Sequence, residues 1–467
     1  MVFSSILFLL YFAPVFFLGY YLLPNKYKNG WLVLSSVLFY YWGAPTFFFI
    51  FILSCAIDYY AMILYEKRNK NIFFYIAIIS NVGLLLYFKY FNFFSNTINE
   101  VFNSQFEWTH VVLPIGISFV TFQKISYLID VKRKDCEPQR YLHKYVLYIV
   151  LFPQLIAGPI VRYKEISEQL NNRFNKITTT NIYIGLRRFI IGLSKKVLIA
   201  NLIGVTVDEV FNFPVVELSS SVAMRGLLGY SFQIYFDFSG YSDMAIGLGK
   251  MLGFTFPENF NFPYIAKSIT DFWRRWHITL SNWMRDYLYI PLGGNKKGNI
   301  RTYLNLFIVF LISGLWHGAS WNFVVWGAYH GFFLIIERLF LLSIIKKIPS
   351  TIAILYNFVI VAFGWLLFRS ASLDEAIKYL NSLIYHDLLP EQLVEVFSMK
   401  FYFIFVLAIF FSFVGVFLEK QLNEVNQKLK MKSSVMYLSH VSMLLLSILC
   451  LAELFSSGFN PFIYFRF

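Results

Sequence analysis

These 467 residues specify an all-α protein that crosses a membrane many times. Three features say so: 58% of the residues are hydrophobic, only 14% are charged, and apolar stretches recur from residue 2 to residue 455. A soluble domain has roughly 45–50% apolar and about 25% charged residues. The aromatic share, 21% with 55 Phe and 32 Tyr, exceeds what one water-soluble core hides. At about 20 residues per helical crossing, the length accommodates roughly ten to twelve spans or half-spans, in a single membrane domain over residues 1–467.

The run Val2–Leu23 is long enough to span and lacks the basic start and small-residue cleavage site of a secretory leader, so it reads as the first helix. Lys26 and Lys28 follow, and the positive-inside rule then puts residues 24–30 in the cytoplasm and the N-terminus outside. Trp31–Tyr65, interrupted at Gly43-Ala44-Pro45, reads as a hairpin returning to Glu66, Lys67, Arg68 and Lys70. Asn71–Tyr90 leads out to the basic-poor segment Asn92–His110, and Lys132, Arg133, Lys134 and Arg140 bring residues 131–144 back inside. Pro114 and Gly116 are expected to break a helix. Beyond residue 150, Phe152-Pro153-Gln154 and Gln233-Ile234-Tyr235-Phe236-Asp237 interrupt the apolar pattern. Broken helices survive at membrane depth only where protein or a water-filled cavity satisfies the backbone, so the middle third is expected to line a cavity. Long spans resume at Leu304–Leu315, Trp321–Phe340, Thr351–Leu367, Phe401–Leu418 and Val435–Leu454, with no internal repeat.

The excess of 40 Lys and Arg over 26 Asp and Glu gives a net charge of +14. Those cations sit in short loops between apolar runs, where topology and anionic lipid headgroups account for them. The lipid bilayer is therefore the expected partner, and nucleic acid is not. Cys55, Cys136 and Cys450 are far apart and none pairs at metal or redox spacing, so no metal site or bound cofactor is expected.

Two stretches carry unusual chemistry. The first runs from Asp271 to Asn295 and packs Trp273, Arg274, Arg275, Trp276, His277, Ser281, Asn282, Trp283 and Arg285 between apolar spans. It fits an interfacial amphipathic helix, with Trp and Arg at headgroup level, as well as a site. The second is Ile312-Ser313-Gly314-Leu315-Trp316-His317-Gly318. An ionisable group in an apolar crossing faces a bundle interior or an aqueous path, and Gly314 and Gly318 leave room for a substrate or another backbone beside His317. Asp237 and Asp243 are candidates for pairing with Arg274 or Arg275, for shaping a polar approach, or for an ordinary ion pair inside the bundle. The basic turn Gly293-Gly294-Asn295-Lys296-Lys297 fits a cytoplasmic loop, and also a contact with coenzyme A phosphates.

A polar residue in a polar helix, followed about 40 residues later by a His in an apolar helix, resembles the membrane-bound O-acyltransferase superfamily. Leu113–Gln123, Tyr235–Ala245, the His277 block and Leu315-Trp316-His317-Gly318 together resemble its bacterial branch, and place the motif-bearing core at residues 113–330. That branch contains the membrane subunits for alginate and peptidoglycan O-acetylation and for teichoic-acid D-alanylation. The resemblance implies a helical body with broken or re-entrant helices around a transmembrane tunnel, His317 as the catalytic base and His277 at the partner position. It also implies acetyl-CoA as the acyl donor, used as a substrate. The segment Phe462-Ile463-Tyr464-Phe465-Arg466-Phe467 is similar to the end of a small companion peptide of the teichoic-acid system, whose Tyr takes the acyl group. This implies an acyl relay through Tyr464, on a tail that moves without disturbing packing, with Phe462 and Phe467 as interfacial anchors; an aromatic belt is the plainer account of the same residues.

The expected function is transfer of acetyl from cytoplasmic acetyl-CoA to an envelope polysaccharide outside the cytoplasmic (inner) membrane, with both termini outside. The sequence has no Gly-x-Ser-x-Gly elbow, so a separate extracytoplasmic serine-esterase-like acetyltransferase is the expected partner. Rival readings are the D-alanyl transfer subunit, a non-enzymatic polysaccharide transporter or flippase, and acylation of a lipid or secreted protein.

Overall fold

The computed structural model describes residues 1–155, 158–385, 397–415 and 433–463, and no strand occurs among them. Seven helices among the described residues are long and apolar enough to cross a membrane: Pro45–Arg68, Asn71–Phe102, Thr179–Asn212, Asn299–His317, Trp321–Ile345, Ser350–Arg369 and Tyr437–Ser456. Leu7–Leu22 and Met399–Phe413 are shorter apolar helices. The protein is a multi-pass membrane protein. The Gly43-Ala44-Pro45 break falls where the sequence puts it, because Asn25–Gly43 ends there and Pro45, which cannot continue a helix, opens the next turn. The span expected to run to Leu418 is helical from Met399 to Phe413, and residues 416–432 lie outside the described set.

Two compact units make up the fold: residues 1–189 with 244–257, and residues 190–243 with 258–467. In the first, Asp58 is completely buried and forms an ion pair with Lys124 at 3.0 Å. Asn81 Nδ2 and the Tyr145 hydroxyl donate to the same carboxylate at 2.7 and 3.0 Å. A charge pair buried between helices is tolerable when its remaining lone pairs are filled in this way. Ser54, Asn81, Thr121 and Lys124 also give a polar side to an otherwise apolar cavity in this unit.

The irregular middle of the chain is less broken than its sequence implies. Helix Leu142–Val150 does stop, and Phe152–Leu155 forms a single turn whose Gln154 Nε2 returns a hydrogen bond to the Tyr148 carbonyl. Gln233–Asp237, by contrast, lies inside one unbroken helix, Ser220–Met251. Its polar side chains do not interrupt the backbone, since Asp237 is paired with the cation of a neighbouring helix. Pro114 and Gly116 likewise precede a helix and do not break one: Gly116, at φ +76°, is the N-cap of Ile117–Lys132.

In the second unit Glu337 is buried in an apolar helix and aims its carboxylate at the start of Ile269–Arg275. It accepts from the Ile269 amide at 2.6 Å, the Thr270 amide at 2.9 Å and the Thr270 hydroxyl at 2.8 Å. These are the free N–H groups of a helix start, and negative charge is favourable there. Ser268 Oγ caps the same turn by accepting from the Asp271 amide. Trp273 and Trp276 then fill the interior against Trp326 and Trp365, with ring centroids 5.6 and 4.7 Å apart. The chain is thus rigidly held when it arrives at His277.

Candidate active site

His277 is completely buried and connects two short helices, Ile269–Arg275 and Ile278–Met284. Its backbone is left-handed, φ +43° and ψ +52°, a conformation that a residue with a side chain adopts only when its surroundings impose it. The surroundings are a loop centred on Asn259. The Ile278 amide donates to the Asn259 carbonyl at 2.9 Å, and the Asn261 amide to the Arg275 carbonyl at 2.9 Å. Turning at this point swings the imidazole toward the interior, against Phe238 with centroids 4.7 Å apart.

The tautomer of His277 follows from its neighbours. Asn259 Nδ2 donates to Ser242 Oγ at 3.0 Å, so its carbonyl oxygen faces the other way. That oxygen accepts from Thr279 Oγ1 at 2.9 Å and lies 3.0 Å from His277 Nδ1. A carbonyl oxygen only accepts, so Nδ1 carries the hydrogen and Nε2 holds the lone pair. Nε2 is buried without a hydrogen-bond partner among the described residues. Burial pushes the ring pKa down, to about 3, which keeps this imidazole neutral.

His317 is the last residue of helix Asn299–His317 and is nearly buried, between Trp316, Trp326 and Phe368 at centroid distances of 4.9, 5.1 and 5.3 Å. The His277 and His317 rings are 6.4 Å apart, although 40 residues separate them in sequence. A proton taken up by His317 sits at the negative end of its helix. The two glycines beside it serve packing. A Cβ on Gly314 would lie 2.2 Å from the Phe323 carbonyl oxygen, and one on Gly318 2.1 Å from the Phe323 ring. Of the two occupants expected beside His317, a substrate or another backbone, it is the backbone of helix Trp321–Ile336 that comes close, as small residues commonly allow in membrane helix pairs.

Residues 72–373, which hold both histidines, match the model described as MBOAT, membrane-bound O-acyltransferase family. The chain belongs to this family. This membrane-bound O-acyltransferase is 42% identical over 385 residues to "Probable alginate O-acetylase AlgI" of Pseudomonas aeruginosa, covering 80% of this chain and 73% of the relative. It is 38% identical over 421 residues to "Peptidoglycan O-acetyltransferase" of Helicobacter pylori, covering 82% and 80%. Against "Teichoic acid D-alanyltransferase" of Bacillus subtilis it is 28% identical over 321 residues, covering 65% and 79%.

Other residues of the acyltransferase stand apart from their expected places. Asp271 pairs with Arg275 at 2.9 Å and receives the Lys267 amide, so it shapes its own turn. Asp237 and Asp243 pair with Lys196 and Lys195, at 2.7 and 2.6 Å, and not with Arg274 or Arg275. The lysines win because Gly240 lets the helix that carries them approach closely: a Cβ there would lie 2.7 Å from the Gly192 carbonyl oxygen. The glycine turn at 293–294, with φ of +109° and +55°, is held by Asn305 Nδ2 donating to the Gly294 carbonyl at 2.9 Å. Tyr464, Phe465, Arg466 and Phe467 lie outside the described residues. Phe462 is no interfacial anchor, since it is buried against Tyr241 with ring centroids 4.6 Å apart. Ile463, whose amide donates to Asp237 Oδ2 at 2.8 Å, is buried too. Sequence reading missed Asn259, whose signal was faint: an amide in the Pro- and Asn-rich run Pro257-Glu258-Asn259-Phe260-Asn261.

Proposed function

We propose that the protein takes acetyl from cytoplasmic acetyl-CoA, carries it along a path through the membrane and delivers it for O-acetylation of an envelope polysaccharide. The observation that carries the reading is the pair of buried imidazoles 6.4 Å apart, one of them neutral with its base nitrogen buried and without a hydrogen-bond partner among the described residues. A hydroxyl oxygen about 2.8 Å from one ring nitrogen fits between the rings, and its single proton goes to one acceptor, His317. His317 acts as the general base, and the neutral His277 lines the gap beside it as an acceptor. The higher identity to the relatives named as O-acetylating enzymes favours acetyl over D-alanyl.

In the first transfer the Tyr464 oxygen attacks the thioester carbonyl. A C–O bond forms as the C–S bond breaks, and the phenolic proton passes through His317 to the departing coenzyme A thiolate. In the second, an acceptor hydroxyl attacks the aryl ester and its proton returns to the Tyr464 oxygen. With a pKa of about 10, phenol is a better leaving group than a sugar hydroxyl, so onward transfer is downhill. A separate serine-esterase-like protein outside the membrane completes the second step. The N-terminus and residue 464 lie outside, and residues 24–30 and 131–144 inside. Tyr464→Phe should abolish polysaccharide acetylation in cells at normal protein level, and intact-mass analysis of purified wild-type protein with acetyl-CoA should find acetyl on Tyr464. Normal acetylation by the variant, or no acetyl on that residue, refutes the relay.

A further inference from the structure

The second unit contains a buried ion pair that is finished by a distant stretch of main chain. Lys196 and Asp237 are 2.7 Å apart, with side chains 3% and 2% exposed. An ammonium has three protons, and three oxygens surround this one: Asp237 Oδ1, Asn201 Oδ1 at 2.7 Å and the Pro461 carbonyl. The other carboxylate oxygen receives the Ile463 amide at 2.8 Å. Asn201 uses its Nδ2 on the same segment, donating to Asn460 Oδ1 at 3.2 Å and the Phe459 carbonyl at 3.4 Å. Phe462 stacks on Tyr241, one turn along the helix from Asp237.

Such an arrangement is more than an anchor for an apolar tail. A buried charge pair is costly unless its remaining hydrogen-bonding positions are filled, and here residues 461 and 463 fill one on each partner. Seating the segment and completing the pair are therefore one event. The spacing also fixes register: a carbonyl at 461 and an amide at 463 meet a cation and an anion, and a slip by one residue presents mismatched groups to both. Tyr464 follows the second of these contacts directly in the chain.

We propose that Lys196 and Asp237 form a latch that seats residues 459–463 in one register and so presents Tyr464 for acylation; both are positioning residues. The inference rests on the acyl-tyrosine reading above. It is tested on full-length purified protein with Lys196→Met, Lys196→Arg, Asp237→Asn and Asn201→Ala, by hydrogen exchange of the peptide spanning residue 463 and by the rate of acetyl appearing on Tyr464 as acetyl-CoA is varied. Lys196→Met should speed exchange of the Ile463 amide by about tenfold or more, as expected for losing a charge-assisted hydrogen bond. It should lower kcat by about 100-fold, the scale of an ångström-sized misplacement, and leave the KM for acetyl-CoA unchanged. Lys196→Arg keeps the charge and should recover a substantial part of kcat. Asn201→Ala leaves the ion pair intact and should give a milder form of both effects if the Lys196 and Asp237 variants do not fold. Unchanged exchange overturns the latch, and faster exchange at unchanged kcat overturns its positioning role. A rise in KM together with the fall in kcat also overturns it, since the donor site would then be disturbed as well. If Tyr464→Phe supports normal polysaccharide acetylation the relay fails, whereas an inactive Tyr464→Phe beside fully active latch variants sinks the latch alone.

Discussion

The two histidines of the site are held in opposite ways. His317 sits in regular helix geometry at a helix C-terminus and is placed by packing, through Gly314, Gly318 and the rings around it. His277 sits at a left-handed backbone position and is placed by hydrogen bonds, with Asn259 fixing which nitrogen carries the proton. The helix end favours a group that gains a proton during the reaction. The strained, buried loop favours one that stays neutral throughout. On the proposed mechanism, one fold thus separates a base from a neutral neighbour although both are imidazoles.

The contrast is broken most severely at His317. His317→Ala should leave a folded, membrane-inserted protein with acyl transfer reduced by about 10²–10⁴-fold, the usual loss for a general base. A well-folded variant with more than about a third of wild-type turnover is incompatible with that role. Packing comes next. Gly314→Ala puts a methyl group into the Phe323 backbone, which cannot rotate away, and should cost about 3 kcal/mol or more of stability. Gly30→Ala, where nothing lies within 4 Å, serves as the control and should be neutral or slightly stabilising. Thermal midpoints in detergent compare the two; equal midpoints would mean that the glycines do not place His317.

The smallest effect sharpens the other side. The pKa of His277 is depressed in the fold, so the unfolded chain binds the extra proton as pH falls below about 6.5. Its contribution to stability is fully present above that pH and declines below it, by at most about 1.4 kcal/mol per pH unit. Unfolding midpoints recorded from about pH 7.5 down to about pH 5 should therefore drop more steeply for wild type than for His277→Asn. Parallel profiles would show that burial does not depress this ring.

Much of this was legible because water-hating and charged residues sort so sharply in a membrane chain. The Gly43-Ala44-Pro45 break and the spans Asn71–Phe102, Asn299–His317, Trp321–Ile345, Ser350–Arg369 and Tyr437–Ser456 follow from apolar runs and their interruptions, whereas Thr179–Asn212 did not stand out among the polar residues of the middle third. What stayed hidden depends on contacts that no spacing encodes. Asp237 looked like an interruption, yet a side chain can be satisfied across a helix interface without disturbing its own backbone. Beside Pro153 the backbone does break: helix Leu142–Val150 ends before it, and Pro153, which lacks an N–H, sits near the start of the next turn, Phe152–Leu155, where that group is not needed. Gly314 and Gly318 announced close approach correctly, but a missing side chain does not say whether a substrate or a helix comes near. Asn259 acts through an amide 18 residues from His277, and only the loop fold brings the two together.

The latch also has a bearing on biosynthesis. Asp237 and the Ile463 amide are 226 residues apart, so at about 5–20 residues per second the ribosome needs roughly 10–50 s to make the second after the first. Throughout that interval Lys196 lacks a carbonyl and Asp237 lacks an amide, in a unit that is already entering the bilayer. The lysine-bearing helix and Ser220–Met251 can meet early, but their shared charges are fully solvated by protein only when residues 461–463 arrive. The hydrogen bonding of this buried pair is therefore completed only when the last residues of the sequence have been made, so a chain ending before residue 461 would keep a cation and a carboxylate each short of one partner.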